Sequence, residues 1–255
     1  MSARVAMRGI EKHFGGVRAV AGIDLDLHPG EVVGVLGHNG AGKSTLMRVL
    51  SGAQPCDAGT IEIDGEAVRI DSPRRARELG IETLYQELAL VDELDAVGNL
   101  FLGRELRTRL GLLDEDAMEA SARDVLARLN PNFTHLREPV RRLSGGQRQA
   151  IAIARAVHFD ARVLILDEPT AALGPGEKRV VAGVIEALRS EGMGILLVSH
   201  DLHDVMDVST RIVVMRNGHV VGEGVTAELQ QDEVVAWIVG GDARTTPQGT
   251  HEQIR

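Results

Sequence analysis

The stretch Gly37-His38-Asn39-Gly40-Ala41-Gly42-Lys43-Ser44-Thr45 fits the spacing G-x-x-x-x-G-K-[ST]. Glycines let a backbone wrap around a phosphate chain, which makes Gly37, Asn39, Gly40 and Gly42 candidate phosphate contacts. Lys43 reaches the β- and γ-phosphates, the Ser44 hydroxyl binds Mg²⁺, and Thr45 stands beside it. A second stretch, Arg141–Val157 (RRLSGGQRQAIAIARAV), places Ser144, Gly145, Gly146 and Gln147 ahead of a helix-forming run. Free N–H groups and the positive end of a helix dipole point the same way there, so this too is a place to hold an anion. Two such grips in one chain require an explanation.

Four further places carry chemistry. Leu164-Ile165-Leu166-Asp167-Glu168 is an apolar run ending in two carboxylates. Asp167 suits the Mg²⁺ shell, and Glu168 then lies near the γ-phosphate, placed to orient or deprotonate a water. His200 ends the next apolar run and faces the same phosphate if the strand ends converge. Gln86, in Tyr85-Gln86-Glu87, could touch Mg²⁺ or water, or do neither. Phe14 could stack on an adenine or be buried, with His13 as a rival stacker.

The elements that must position these residues follow from patterning. Gly22–Glu31 (GIDLDLHPGE) alternates apolar and acidic residues and ends in Pro-Gly, as a half-buried strand does. Thr60–Ile70 (TIEIDGEAVRI) is two short runs around Asp64-Gly65, a hairpin signal. EVVGVLG, VLILDEP and GILLVSH are nearly continuous apolar runs, as expected of parallel strands buried on both faces, each followed by a helical pattern. The expected fold is α/β, with a doubly wound P-loop core, a strand-rich antiparallel N-terminal part to about Ile70 and ligands at the carboxyl ends of the strands. Residues 88–159 break the rhythm and read as a helical insertion, with Met118, Ala122, Val125, Leu126 and Leu129 at helical spacing. One domain, 1–240, is expected, with a polar tail over 241–255.

The chain has 255 residues and a net charge of −9, which argues against broad nucleic-acid binding. Its single cysteine, Cys56, allows no internal disulfide and suggests a reducing compartment. No signal peptide and no run near the ~20 apolar residues of a membrane span is visible, so a membrane role is expected to come through a partner.

In order along the chain, Gly37–Thr45, Gln86, Leu143-Ser144-Gly145-Gly146-Gln147, Leu164–Glu168 and His200 resemble the motifs of the ATP-binding subunits of ABC transporters. The resemblance runs to about Gly240 and implies the ABC ATPase fold, ATP and Mg²⁺. It makes Phe14 the adenine-stacking aromatic and Gln86 the glutamine that links the site to a membrane partner. It makes Ser144–Gln147 the signature, Glu168 the catalytic base and His200 the switch histidine. It also accounts for the two grips: two subunits sit head to tail, and the signature of one covers the γ-phosphate held by the other. One departure is Ala171-Ala172-Leu173-Gly174, where the family's loop reads S-A-L-D. Gly174 lacks the carboxylate that helps link the sites, so coupling differs or the partner is non-identical.

Tyr85–Glu105 resembles the corresponding segment of monosaccharide importers of the ribose, xylose and fructose type. That resemblance implies an ATPase at the cytoplasmic face of a bacterial inner membrane. Its implied partners are a second copy, an integral membrane permease and, indirectly, a periplasmic sugar-binding protein, with no nucleic acid. Import of an amino acid or another small solute, and a soluble ATPase acting on nucleic acid or ribosomes, are the alternatives.

Overall fold

The computed structural model describes residues 3–240, so the expected tail over 241–255 lies outside the described residues. In chain order the strands are β1 (Val5–Phe14), β2 (Val17–Leu27), β3 (Val32–Leu36), β4 (Ala58–Ile63), β5 (Glu66–Val68), β6 (Ile81–Leu84), β7 (Val163–Asp167), β8 (Gly194–Val198), β9 (Arg211–Arg216) and β10 (His219–Val225). The helices are α1 (Lys43–Leu50), α2 (Pro73–Glu78), α3 (Ala96–Phe101), α4 (Glu115–Leu129), α5 (Gly145–Val157), α6 (Pro175–Ser190), α7 (Leu202–Val208) and α8 (Gln231–Val239).

The alternating N-terminal segments form an antiparallel sheet in the order β2-β1-β4-β5. Asp64 and Gly65 both take positive φ, 51° and 84°, which matches the twist of a two-residue hairpin between β4 and β5. The continuous apolar runs build a second sheet, β10-β9-β3-β8-β7-β6, parallel except for β10. Patterning alone exposes three of its strands. The structure adds β6 and β9, which extend the parallel stack on either side.

Successive residues in a strand point to opposite faces, so this sheet feeds two cores. Val33, Val35, Ile165, Leu196 and Val213 pack against β1, β2 and α1. Leu164, Leu166, Ile195, Leu197 and Val214 pack on the other face against α3–α8. On α4 the buried residues are Met118, Ala122, Val125, Leu126 and Leu129, the stripe that helical spacing predicts. The core does not stop at residue 159: Ile151 and Ile153 of α5 share it with Val181 and Val184 of α6.

Trp237, the only tryptophan in the chain, closes one end. It is buried on α8 and lies against Gly222 of β10, where a Cβ would sit 2.1 Å from its Cδ2. Deleting such a ring leaves a cavity, so Trp237→Ala is expected to lower stability by about 3–5 kcal/mol in urea unfolding. An unchanged midpoint would show that α8 contributes nothing to this core.

Candidate functional site

Parallel pairing fixes which loops meet. Val35 of β3 lies opposite Val198 of β8, and Val198 lies opposite Asp167 of β7. Leu84 of β6 lies opposite Leu166 of β7. The residues leaving these strands therefore share one carboxyl edge: Gly37, His200, Glu168 and Gln86.

The loop after β3 needs its glycines for two reasons. Gly37 and Gly42 have φ of 147° and 103°, and a Cβ at either would lie 2.2 Å from the Met215 carbonyl oxygen or 2.3 Å from that of Ala19. Gly40 has φ 83° with open space above it, so only its backbone conformation demands glycine. His38, Asn39, Gly40 and Ser44 are exposed, and Thr45 is half-buried. α1 begins at Lys43, so its first N–H groups face the loop. Lys43 is only 7% exposed, and its ammonium donates to the carbonyls of Gly37 at 2.7 Å and His38 at 3.2 Å. Burial pulls the lysine's pKa down, against the opposing pull of Glu168 and Asp167.

The two carboxylates differ in environment. Burial, and then the charge of Glu168, raises the pKa of Asp167, while Arg48 and Lys43 offset this. Glu168 sits at φ 54°, a left-handed conformation rare outside glycine, and its N–H donates to Val198 O at 2.8 Å. Its Oε2 lies 2.7 Å from Nδ1 of His200. A proton on Nδ1 serves that contact and leaves Nε2 free on a ring that is 68% exposed. The structure thus joins Glu168 to His200 directly.

Gln86 is placed differently. It lies in an exposed bend and, among the described residues, makes no hydrogen bond. The bend is held from α5 by Arg155, whose guanidinium donates to the carbonyls of Ala89 and Leu88, both at 2.7 Å. Phe14 ends β1 and is 45% exposed, with the Lys12 ammonium 5.8 Å from its ring centroid. The His13 ring is engaged by Glu11 at 3.2 Å, which leaves Phe14 as the open aromatic face. The hairpin carrying Phe14 is seated beside the glycine loop, since Ala19 of β2 abuts Gly42.

Ser144 caps α5. Its Oγ accepts from Gln147 N at 3.3 Å, and Gln147 Oε1 accepts from Ser144 N at 3.0 Å. Ser144 is exposed and Gly146 buried. Among the described residues, no hydrogen bond or ion pair joins 144–147 to 37–45; Gly145 N–H donates instead to Glu177 at 2.7 Å. The Ser144 loop thus has no polar link to the glycine loop.

Among the described residues, no three His, Cys, Asp or Glu side chains converge as a metal cage. The Asp167 carboxylate and the Ser44 hydroxyl are oxygen donors, a set that leaves the remaining positions to phosphate and water. That suits Mg²⁺, which keeps its waters and prefers phosphate oxygens. Sequence reasoning missed Arg155 and Glu177. A capping signal, Gly174-Pro175-Gly176-Glu177, was available for the second, whereas the reach of Arg155 to the bend after β6 has no local signature.

A glycine-rich phosphate loop ahead of a helix, on the carboxyl edge of a doubly wound sheet, defines a P-loop nucleotide-binding protein. The chain belongs to the ABC transporter family, whose model matches residues 20–171. It is 45% identical over 240 residues to a ribose import ATP-binding protein of Burkholderia thailandensis, covering 94% of this chain and 47% of that one. It is 47% identical over 234 residues to one of Rubrobacter xylanophilus, covering 92% and 46%. The chain spans about half the length of these curated relatives. Among solved structures it is similar to an ABC transporter's ATP-binding cassette in its ADP conformation, with a TM-score of 0.82, 25% identity and coverage of 94% and 100%. It is likewise similar to cbiO1 of Clostridium perfringens, part of an ABC transporter complex, with a TM-score of 0.79, 27% identity and coverage of 92% and 93%.

The raised pKa of Asp167 has a measurable consequence. A carboxyl that binds its proton more tightly when folded stabilises the fold most at low pH. That contribution is lost as pH rises through the folded value, so at neutral pH the charge opposes folding. Asp167→Asn is therefore expected to melt no lower than wild type at pH 7 without ligand, and to lose the extra stabilisation that Mg²⁺ gives over nucleotide alone. A clear drop in ligand-free melting temperature would contradict this reading of the site.

Proposed function

We propose that this chain is the ATP-hydrolysing unit of a bacterial importer for a monosaccharide, with ATP held between two copies arranged head to tail. The observation that carries the reading is the shared carboxyl edge: glycine loop, Asp167, Glu168 and His200 meet there, while the Ser144 loop has no polar link to the glycine loop. A separate anion grip is used when a second molecule brings the anion.

In this reading Gly37, Asn39, Gly40 and Gly42 wrap the phosphates, and Lys43 exchanges two loop carbonyls for β- and γ-phosphate oxygens. Phe14 stacks on the adenine. Ser44, Asp167 and Gln86 would hold Mg²⁺, which would neutralise charge on the phosphates. Glu168 accepts a proton from the attacking water. His200 aims the carboxylate through Nδ1 and offers Nε2 toward the γ-phosphate. Ser144, Gly145, Gly146 and Gln147 of the second copy meet that phosphate from the other side. The water oxygen bonds to the γ-phosphorus as the P–O bond to the leaving ADP breaks; departure of the phosphate then takes charge from the joint, and the two copies part.

Among the described residues, no helix is long and apolar enough to cross a membrane; in this reading a permease carries the solute. Beside the Gln86 bend, a cavity of about 270 Å³ lined by Leu84, Leu100, Leu102, Arg104, Arg155 and Phe159 offers a seat for one. In this reading the chain sits peripherally at the cytoplasmic face of the membrane. The sugar assignment rests on the ribose import relatives.

Glu168→Gln is expected to bind ATP and dimerise while hydrolysing at least about 100-fold more slowly; near-wild-type turnover would remove the base assignment. The test of the transport reading is uptake of labelled ribose, xylose, fructose, galactose, inositol and leucine. Cells carry either the native chain or Lys43→Ala at equal levels. Loss of uptake of one sugar supports the proposal and names the substrate. Loss of leucine uptake alone, or no change in any solute, contradicts sugar import.

A further inference from the structure

Glu177 is the N3 residue of α6, and one of its oxygens does what such a residue ordinarily does. Oε2 accepts from the N–H of Gly174, the helix's N-cap, at 3.0 Å. The other oxygen leaves the helix. Oε1 accepts from Gly145 N–H, the first residue of α5, at 2.7 Å. One carboxylate thus joins the starts of two helices that are far apart in sequence. The amides of Gly174, Gly145 and Gly146 hold this carboxyl below the usual carboxylate range.

The glycines of the 144–147 loop fit this contact closely. A Cβ on Gly145 would lie 2.7 Å from Leu173 Cδ2 and 3.0 Å from Glu177 Oε1. One on Gly146 would lie 3.1 Å from the Glu177 Cα. The close approach to backbone is at Gly146, while at Gly145 the neighbours are the ends of the Leu173 and Glu177 side chains. On the opposite side Ser144 and Gln147 close their own box, leaving Ser144 exposed. Residue 174, where an aspartate would bring a carboxylate to the 171–174 loop, has no side chain. A carboxylate is nevertheless present three residues later, tied to that loop's backbone.

We propose that Glu177 is a positioning residue that locks the 144–147 loop to the 171–174 loop, so that both meet the second copy as one rigid edge. The inference rests on the head-to-tail reading of the site. Glu177 touches neither nucleotide nor metal in this account. It fixes the angle at which Ser144 and Gly146 are presented, and it lets a shift of either loop reach the other.

The test compares Glu177→Ala and the near-isosteric Glu177→Gln with wild type for ATPase turnover, and in a Glu168→Gln background for ATP-induced dimerisation, using the full chain. ADP affinity and melting temperature are measured alongside. Untying the loops is expected to lower turnover and to weaken dimerisation by about 10-fold or more in Glu177→Ala, since misplacement of a positioning loop acts on the closed state. Glu177→Gln, which keeps one acceptor oxygen, is expected to fall between. ADP affinity, set by the glycine loop, stays within about 2-fold because that loop makes no polar contact with Glu177.

A loss of turnover that only follows the folded fraction, with dimerisation per folded chain unchanged, would reduce Glu177 to an ordinary helix cap and overturn the inference. Wild-type turnover and dimerisation in both variants would overturn it as well. If Glu168→Gln alone does not dimerise with ATP, the head-to-tail reading itself fails, and this inference fails with it.

Discussion

The register of the parallel strands is the constraint on which the rest depends. Val35, Val198 and Asp167 stand level across β3, β8 and β7. A slip of one residue in any pairing would exchange the two buried faces of a strand and carry its terminal side chain away from the others. That register is held by residues with no chemistry of their own. Val33, Ile165 and Leu196 lock one face, and Leu164, Ile195 and Leu197 lock the other. The site is therefore only as exact as the core beneath it.

Above that edge, the electrostatics hold the pieces in reserve. Lys43 is buried yet satisfied by two carbonyls of its own loop, so a phosphate can take over its hydrogen bonds without leaving them unmade. Glu168 is kinked into a left-handed conformation and paired with His200. Burial and Glu168 disfavour the charge of Asp167, and Arg48 and Lys43 act against them. Burial and backbone strain are set aside where a ligand would repay them, as happens at sites that bind and release in turn.

Much of this was legible in the chain because it rests on local rules. Continuous apolar runs read as β3, β7 and β8, Asp64-Gly65 as a hairpin, and the spacing of α4 gave its buried face. β6 was hidden because Glu82 and Thr83 interrupt a four-residue edge strand. β9 was hidden between flanking arginines, although Asn217-Gly218 after it carries the same hairpin signal as Asp64-Gly65, with φ of 51° and 80°. The choice between His13 and Phe14 could not be made from type alone; that Glu11 engages the His13 ring has no signature in the residue types. Arg155 and Glu177 act across long sequence separations; the capping pattern marks Glu177 as a helix start but not its reach to Gly145, and Arg155 has no local signal.

The central claim is that each catalytic unit is shared between two chains. It is tested most directly by mixing two inactive variants, Lys43→Ala and Ser144→Arg, and measuring ATP hydrolysis. If the Ser144 loop works on the neighbour's nucleotide, a mixed pair contains one intact unit, and random pairing restores about a quarter of wild-type turnover. If mixing restores nothing while each variant still binds the wild-type chain, the loop and the phosphate site belong to the same molecule, and the account is wrong.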